Sequence, residues 1–317
     1  MDCKICSNGI NNKVFVVREM MLGLREEFDY MHCNNCGSLQ LTHVPQNMDK
    51  YYPPDYYSFS NQPKIEKNRL INFLIKERDC YAINKSSFIG RIVHLFKPAS
   101  DFFRILGYFN LTKVAKILDV GSGNGSRIFP IASAGFIVNG IDPFIDKDIT
   151  YTNGLAIYKK DIYSMDGIFD LIMLNHVLEH MPEPYHVLKK INSLLSSNGK
   201  CLVRVPIIPC YMWEKYKTDW VQIDAPRHLF IYSKESMELL AKQTGFVIEE
   251  IIYDSMPFQF LGSELYKRNV SFVDGDFNLD KKNKVFSNKE IKFFIKQTTI
   301  LNSNKQGDQA AFILRKV

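Results

Sequence analysis

Two pairs of cysteines, Cys3-Lys4-Ile5-Cys6 and Cys33-Asn34-Asn35-Cys36, stand 26 residues apart. Each Cys-x-x-Cys hook can present two thiolates from one turn, and four thiolates make the closed tetrahedral site that zinc prefers. Such a site leaves no open position for chemistry, so its role is structural or in recognition. A redox pair would need a strand-helix junction, which the first six residues do not supply. The spacing therefore predicts a zinc ribbon over residues 1–45, with Val14 to Val17 and Phe28 to Met31 as short strands and Cys3, Cys6, Cys33 and Cys36 as ligands. Cys80, Cys201 and Cys210 read as buried small hydrophobes.

A second constellation is Gly121-Ser122-Gly123-Asn124-Gly125, preceded by the apolar run Lys116 to Val120 and followed by helical spacing from Arg127 to Ala134. Glycines remove side chains where the backbone bends sharply and let a ligand approach the main chain. Asp142 ends the next apolar run, 23 residues after Asp119, where a carboxylate can accept both hydrogen bonds of a ribose diol. An adenosine-containing ligand follows. The dinucleotide fingerprint spaces its glycines Gly-x-Gly-x-x-Gly. Here the turn is Gly-x-Gly-x-Gly just after Asp119, which favours S-adenosylmethionine over NAD.

These residues need a scaffold that brings strand ends together. Apolar runs at 116–120, 136–142, 156–160, 169–175, 199–205, 246–253 and 309–316 alternate with helical patterns at 184–195 and 236–244. Alternation at this spacing predicts an α/β fold with a doubly wound, seven-stranded, mostly parallel sheet. Residues 113–317 would form that domain, and 46–112 an aromatic stretch followed by a helical connector or lid.

From Val114 to Tyr253, the strings Leu118-Asp119-Val120-Gly121-Ser122-Gly123-Asn124-Gly125, Gly140-Ile141-Asp142-Pro143, Lys160-Asp161-Ile162 and Phe169-Asp170-Leu171-Ile172-Met173-Leu174-Asn175-His176-Val177-Leu178-Glu179-His180 resemble the successive motifs of class I S-adenosylmethionine-dependent methyltransferases. The resemblance implies that the glycine turn holds the methionine portion and Asp142, with Pro143 beside it, the ribose. It assigns Asp161 and Ile162 to the adenine, and Asn175 and His176 to the sulfonium end. Asp161 could instead cap the next turn. His176 and His180 are four apart with Glu179 between them, a spacing found in metal sites. No third ligand is evident in the sequence, so these residues are expected to line the cofactor pocket and start a helix.

The acceptor pocket is expected over the stretch from Trp213 to Tyr232, with Trp220, Arg227 and Tyr232 as its contacts. His228 is the candidate general base, because an imidazole titrates near neutral pH; a buried histidine ordering the loop is the alternative. Arg227 could meet an acceptor phosphate or form a structural ion pair. The tyrosine-rich run Tyr51 to Phe59 could wall the pocket or pack on the ribbon. The ribbon, this run and Ala225-Pro226-Arg227-His228-Leu229 together resemble bacterial methyltransferases of surface-polysaccharide and deoxysugar pathways. The sugar C-methyltransferases among them carry a Tyr-His-Glu-His motif of which only the last histidine, His228, has a counterpart. The resemblance implies a small sugar-type acceptor, methylated on oxygen or carbon.

Composition narrows the alternatives. The 317 residues are 46% hydrophobic and 23% charged, with a formal charge of +6, which excludes disordered and disulfide-scaffold classes. Residues 1–264 carry 29 charges of each sign, whereas 265–317 carry 11 basic and 5 acidic side chains. An RNA methyltransferase gripping its substrate with ribbon and basic segment is thus a second reading, and a non-catalytic cofactor-binding scaffold a third. The segment Lys289 to Leu301 is amphipathic, with Ile291, Phe294, Ile295 and Thr298 on one face, and is expected to pack on the sheet rather than lie on a membrane. No run reaches the roughly 18 apolar residues of a membrane span, no signal peptide is visible, and the thiols suit a reducing compartment. A cytoplasmic protein is expected.

Overall fold

The computed structural model describes residues 1–53, 63, 68–274 and 285–317. Most of the tyrosine-rich run, from Pro54 to Phe59, lies outside the described residues, as does its expected role as a lid.

A small sheet opens the chain, with β1 at Lys13–Arg18, β2 at Glu27–His32 and β3 at Leu39–Leu41. Helices α1 (Arg69–Asn84), α2 (Phe88–Phe96) and α3 (Asp101–Leu106) follow. The large sheet then begins: β4 (Lys116–Val120), α4 (Phe129–Ser133), β5 (Ile137–Ile141), β6 (Ile149–Thr150), β7 (Ala156–Tyr158), β8 (Phe169–Asn175), α5 (Pro184–Leu194) and β9 (Leu195–Pro206). After it come α6 (Tyr211–Tyr216), β10 (Phe230–Ile231), α7 (Lys234–Gln243), β11 (Phe246–Tyr253), α8 (Phe258–Lys267), α9 (Asn288–Ser303) and β12 (Gln309–Lys316).

The large sheet has the order β11-β12-β9-β8-β4-β5-β7-β6. Strands β9, β8, β4, β5 and β7 run parallel, and the β11–β12 pair closes one edge antiparallel. Among the described residues this makes eight strands, one more than the alternation predicts. The extra one, β6, is two residues long and pairs antiparallel with β7; a strand so short carries no periodic signal.

Alternation along the central strands divides the core in two. Leu118, Val120, Ile172 and Leu174 pack into one cluster, while Ile117, Leu171 and Met173 pack into the other. Successive side chains on a strand point to opposite faces, so a parallel strand covered on both sides is apolar almost throughout. In β8 only Asp170 is exposed. The sheet is paired and packed on both faces where β4, β5 and β8 end, which is where the glycine turn, Asp142 and Asn175 sit.

The cysteine-bearing segment is joined to this domain rather than strung before it. The small sheet has the order β1-β2-β3-β10, and β10 arrives some two hundred residues later in the chain. Leu41 donates its amide to the Leu229 carbonyl at 2.9 Å. Cys3, Ile5, Tyr30 and Leu39 belong to the same buried cluster as Leu118 and Val120. The boundary at residue 45 is therefore a boundary in sequence and not in packing.

The basic C-terminal segment supplies α9, which links the hairpin partners β11 and β12. Phe294 stacks on Phe260 with centroids 5.1 Å apart, and Thr298 and Leu301 are buried with it. Ile295, expected on the covered face, points outward. No helix among the described residues is long and apolar enough to cross a membrane.

Candidate functional site

Gly121, Gly123 and Gly125 all adopt positive φ, at 65°, 54° and 80°. The turn is also tight: a Cβ on Gly121 would stand 2.6 Å from Val177 Cγ2, and one on Gly140 would stand 2.3 Å from Ser122 Oγ. Asp142 fastens it from the neighbouring strand. Its Oδ2 accepts the Gly123 amide and its Oδ1 the Phe144 amide, each at 2.9 Å. A carboxylate oxygen has more than one acceptor position, so both remain able to receive ribose hydroxyls. Burial raises the Asp142 carboxyl and the two amides oppose it.

Asp119 and Asn175 meet across adjacent strand ends, with Asn175 Nδ2 donating to Asp119 Oδ1 at 2.9 Å. Burial lifts the Asp119 carboxyl to about 6. Asn175 Oδ1 in turn accepts from Arg204, whose guanidinium is paired with Asp254 at 2.8 Å through Nε. Asn124 is buried and its Oδ1 accepts the Ser126 amide at 3.1 Å. Asp119, Ser122, Asn124, Asp142, Asn175 and the three glycines thus come together at the carboxyl ends of the central strands. His176 joins them with φ of 57°, directly after β8. Pro143 is exposed beside them and Ile162 is buried. Asp161 is exposed and caps a turn: Oδ1 accepts the Ser164 amide at 2.8 Å, which with the Ser164 hydroxyl draws its carboxyl down.

The residues expected around the acceptor fall differently. Trp220 is buried and donates Nε1 to Asp308 at 3.0 Å. Tyr232 is buried and donates its hydroxyl to the Leu178 carbonyl at 3.0 Å. The fully buried Arg227 donates Nε to Asp224 at 3.0 Å, with Glu19 and the Tyr51 carbonyl also around its guanidinium. In place of an acceptor phosphate it faces these internal carboxylates, which satisfies a charge that burial would otherwise make costly.

His228 is also buried. Its Nδ1 stands 2.7 Å from the Gln222 carbonyl, and its ring meets His180 edge-on with centroids 4.7 Å apart. Burial lowers the imidazole, with Asp224 opposing. His180 lies in the 3-10 turn Leu178–His180, its Nδ1 2.9 Å from the Arg227 carbonyl, and burial takes it down to about 3. Glu179 is fully buried, with Oε1 4.0 Å from His228 Nε2, and burial carries its carboxyl to about 8. Asp224 closes the group; burial works to raise it, but Arg227 brings it down to about 2. Glu19 and Arg204 carry no motif, and only the fold shows that they support the site, whereas Asp224 lies within the stretch expected to form it.

The four paired cysteines converge. Cys3 and Cys36 Sγ are 3.6 Å apart, Cys6 and Cys33 Sγ 3.5 Å, and all four sulfurs lie within 4.8 Å of one another. The Ile5 and Cys6 amides and Gln40 Nε2 point at Cys3 Sγ, as donors do around a thiolate. The donor set fits a zinc ion.

A mostly parallel sheet with a glycine turn, a strand-terminal acid and an antiparallel terminal hairpin defines a Rossmann-like methyltransferase domain. The family described as methyltransferase domain matches residues 93–251, half of the chain, and the chain belongs to it: this is a class I S-adenosylmethionine-dependent methyltransferase domain. Ubiquinone biosynthesis O-methyltransferases of Haemophilus ducreyi and Glaesserella parasuis are 34% and 31% identical over 99 residues, which is 26% of this chain and 42% of theirs. The chain thus spans about two fifths of the length of the curated relatives it matches. Among solved structures, a methyltransferase of Archaeoglobus fulgidus overlaps 73% of this chain and 100% of its own, at 17% identity and a TM-score of 0.42. The cyclopropane synthase MmaA2 of Mycobacterium tuberculosis overlaps 68% and 83%, at 14% identity and 0.43.

Proposed function

We propose that this protein transfers the methyl group of S-adenosylmethionine to a hydroxyl oxygen of a small-molecule acceptor. The observation that carries the reading is the cluster of His180, His228 and Glu179 one turn beyond Asn175 and His176, at the end of the strand that would face the sulfonium. The glycine turn, Asp142 and Asp119 would hold the cofactor, and Asp161 with Ile162 would flank its adenine. In-line transfer needs the acceptor oxygen aligned on the methyl carbon and relieved of its proton. His228 is the candidate base: its Nδ1–H is committed to the Gln222 carbonyl, and Nε2 keeps a lone pair. The oxygen attacks the methyl carbon, the carbon–sulfur bond breaks, and sulfur keeps the pair.

The acceptor we favour is a nucleotide sugar or surface-glycan intermediate, on the resemblance of the ribbon and the Ala225 to Leu229 string to enzymes of those pathways. A phenolic acceptor is the second reading, favoured by the two O-methyltransferase relatives. Cys3, Cys6, Cys33 and Cys36 would hold a structural zinc. We place the protein in the cytoplasm.

The test is incubation of the full chain with isotopically labelled S-adenosylmethionine and separate pools of nucleotide sugars, prenylated phenols and RNA. Label in an O-methyl sugar supports the proposal, and label in a phenol moves it to the second reading. Label in RNA, or tight S-adenosylhomocysteine binding without turnover on any pool, overturns it.

A further inference from the structure

We propose that Glu179, His180 and His228 form a second metal site, separate from the four cysteines, for a divalent first-row transition ion. One ligand atom from each lies within 4.8 Å of the others. Ion–ligand distances of about 2.0–2.2 Å require each side chain to close in by up to about 0.8 Å. The ligands come from two places in the chain, the turn after β8 and the loop before β10, which Tyr232 ties together by donating to the Leu178 carbonyl.

The state of each ring is set by its partner. A backbone carbonyl can only accept, so His228 Nδ1 must donate to Gln222 and His180 Nδ1 to Arg227. Both rings are thereby fixed with Nε2 unprotonated. A metal-ligating histidine is held in this way, its second nitrogen donating to a carbonyl or carboxylate. The Tyr52 hydroxyl, 3.2 Å from His180 Nδ1, adds to the hold.

Glu179 supplies the independent observation. It has no exposure, yet neither carboxylate oxygen accepts a hydrogen bond. His176 Nδ1 is 3.3 Å from Oε1 without hydrogen-bond alignment, and His228 Nε2 is 4.0 Å away. A buried carboxylate without partners is costly unless it holds a proton, and a bound cation would take that proton's place. One carboxylate oxygen and two ring nitrogens gathered within 4.8 Å make a donor set that a cation can bind. Two imidazoles and one carboxylate suit Zn²⁺, Mn²⁺ or Fe²⁺ better than Mg²⁺ or Ca²⁺, and three protein ligands leave positions open.

The use of such an ion rests on the methyl-transfer reading, although its binding does not. An acceptor hydroxyl in an open position would be acidified by the ion. Its proton would pass to solvent, and the oxygen would attack the methyl carbon with no need of His228 as base.

The experiment strips the full chain with chelator and dialyses it against Co²⁺, then measures cobalt per chain and the absorption spectrum. The expected result is two ions per chain, one with thiolate-to-cobalt charge transfer and one without. Glu179→Gln and His228→Gln should each retain the thiolate band and bind one ion. A wild-type protein with a single, thiolate-bound ion overturns the proposal, as do variants that keep two. Should a variant fail to fold, wild-type stoichiometry and spectrum decide alone. The readout needs no turnover, so two bound ions in a protein that methylates nothing would remove the methyl-transfer reading and leave the metal site standing.

Discussion

The Tyr30 hydroxyl donates to the backbone carbonyl of His228 at 2.8 Å, within a fully buried contact between the cysteine-bearing sheet and the loop of the site. Tyr30 sits on β2, so the small sheet fixes the height of the loop that presents His228. The Ser233 hydroxyl, which also caps α7, donates to the Cys36 carbonyl and makes a second tie. Tyr30→Phe leaves the His228 carbonyl buried without that donor, which costs about 1–3 kcal/mol. Urea unfolding should show that loss, while S-adenosylhomocysteine affinity by calorimetry stays within about twofold. A large drop in affinity would mean that Tyr30 supports the cofactor turn instead.

The same ties make metal at the cysteines a matter for the whole domain. Because β10 completes the small sheet and the core is shared, Cys33→Ser should lower the melting temperature of the entire chain in one transition. Zinc content, by elemental analysis, should fall by one ion per chain. Structural zinc sites contribute folding free energy directly, so a chelator should lower the melting temperature of the wild type in the same direction. Two separate transitions would show the modules to be independent.

Gly121→Ala tests the turn against a matched control. At Gly121 both the φ of 65° and the approach to Val177 oppose a side chain. Left-handed backbone costs about 1–2 kcal/mol and overpacking about 1–3 more. Gly154 has φ of 88° with nothing within 4 Å of a built Cβ, so Gly154→Ala should cost the backbone part alone. Thermal unfolding of the pair separates the two, and cofactor binding should suffer in Gly121→Ala only.

What was legible in the sequence follows from periodicity. Apolar runs such as 116–120 and 169–175 announce strands because both faces of a central strand are covered. The glycine turn announces itself because only glycine adopts its backbone freely. By contrast β6 and β10, two residues each, have no period to read. The grouping of His228 with Glu179 and His180 joins residues 49 and 48 positions apart, and only the loop's return to the β8 end brings them together. For Arg227 the sequence leaves an acceptor phosphate and a structural ion pair both open, and only the fold brings Glu19, from the turn after β1, against it.

Asp119 sets a pH dependence on cofactor binding. Its carboxyl is raised to about 6 by burial, and it directly precedes the glycine turn proposed to hold the methionine portion, whose ammonium would favour the ionised form. Affinity for S-adenosylhomocysteine should therefore be level above pH 6 and fall below it, by about tenfold between pH 7 and pH 5 for a single linked proton. Stability runs the other way for this group. With a folded value near 6 and an unfolded value of about 3.9, Asp119 binds more protons in the folded state, so its contribution to stability grows as pH falls through that interval. Loss of affinity there is then not loss of fold through Asp119. Asp119→Asn keeps an oxygen for the Asn175 amide, 2.9 Å away in the wild type, and should bind more weakly at pH 7 by about ten- to a hundredfold, as expected for a charge-assisted contact. Calorimetric titrations across pH 5–8 should give a flat profile for this variant, and an unchanged acid limb would assign the proton to another group.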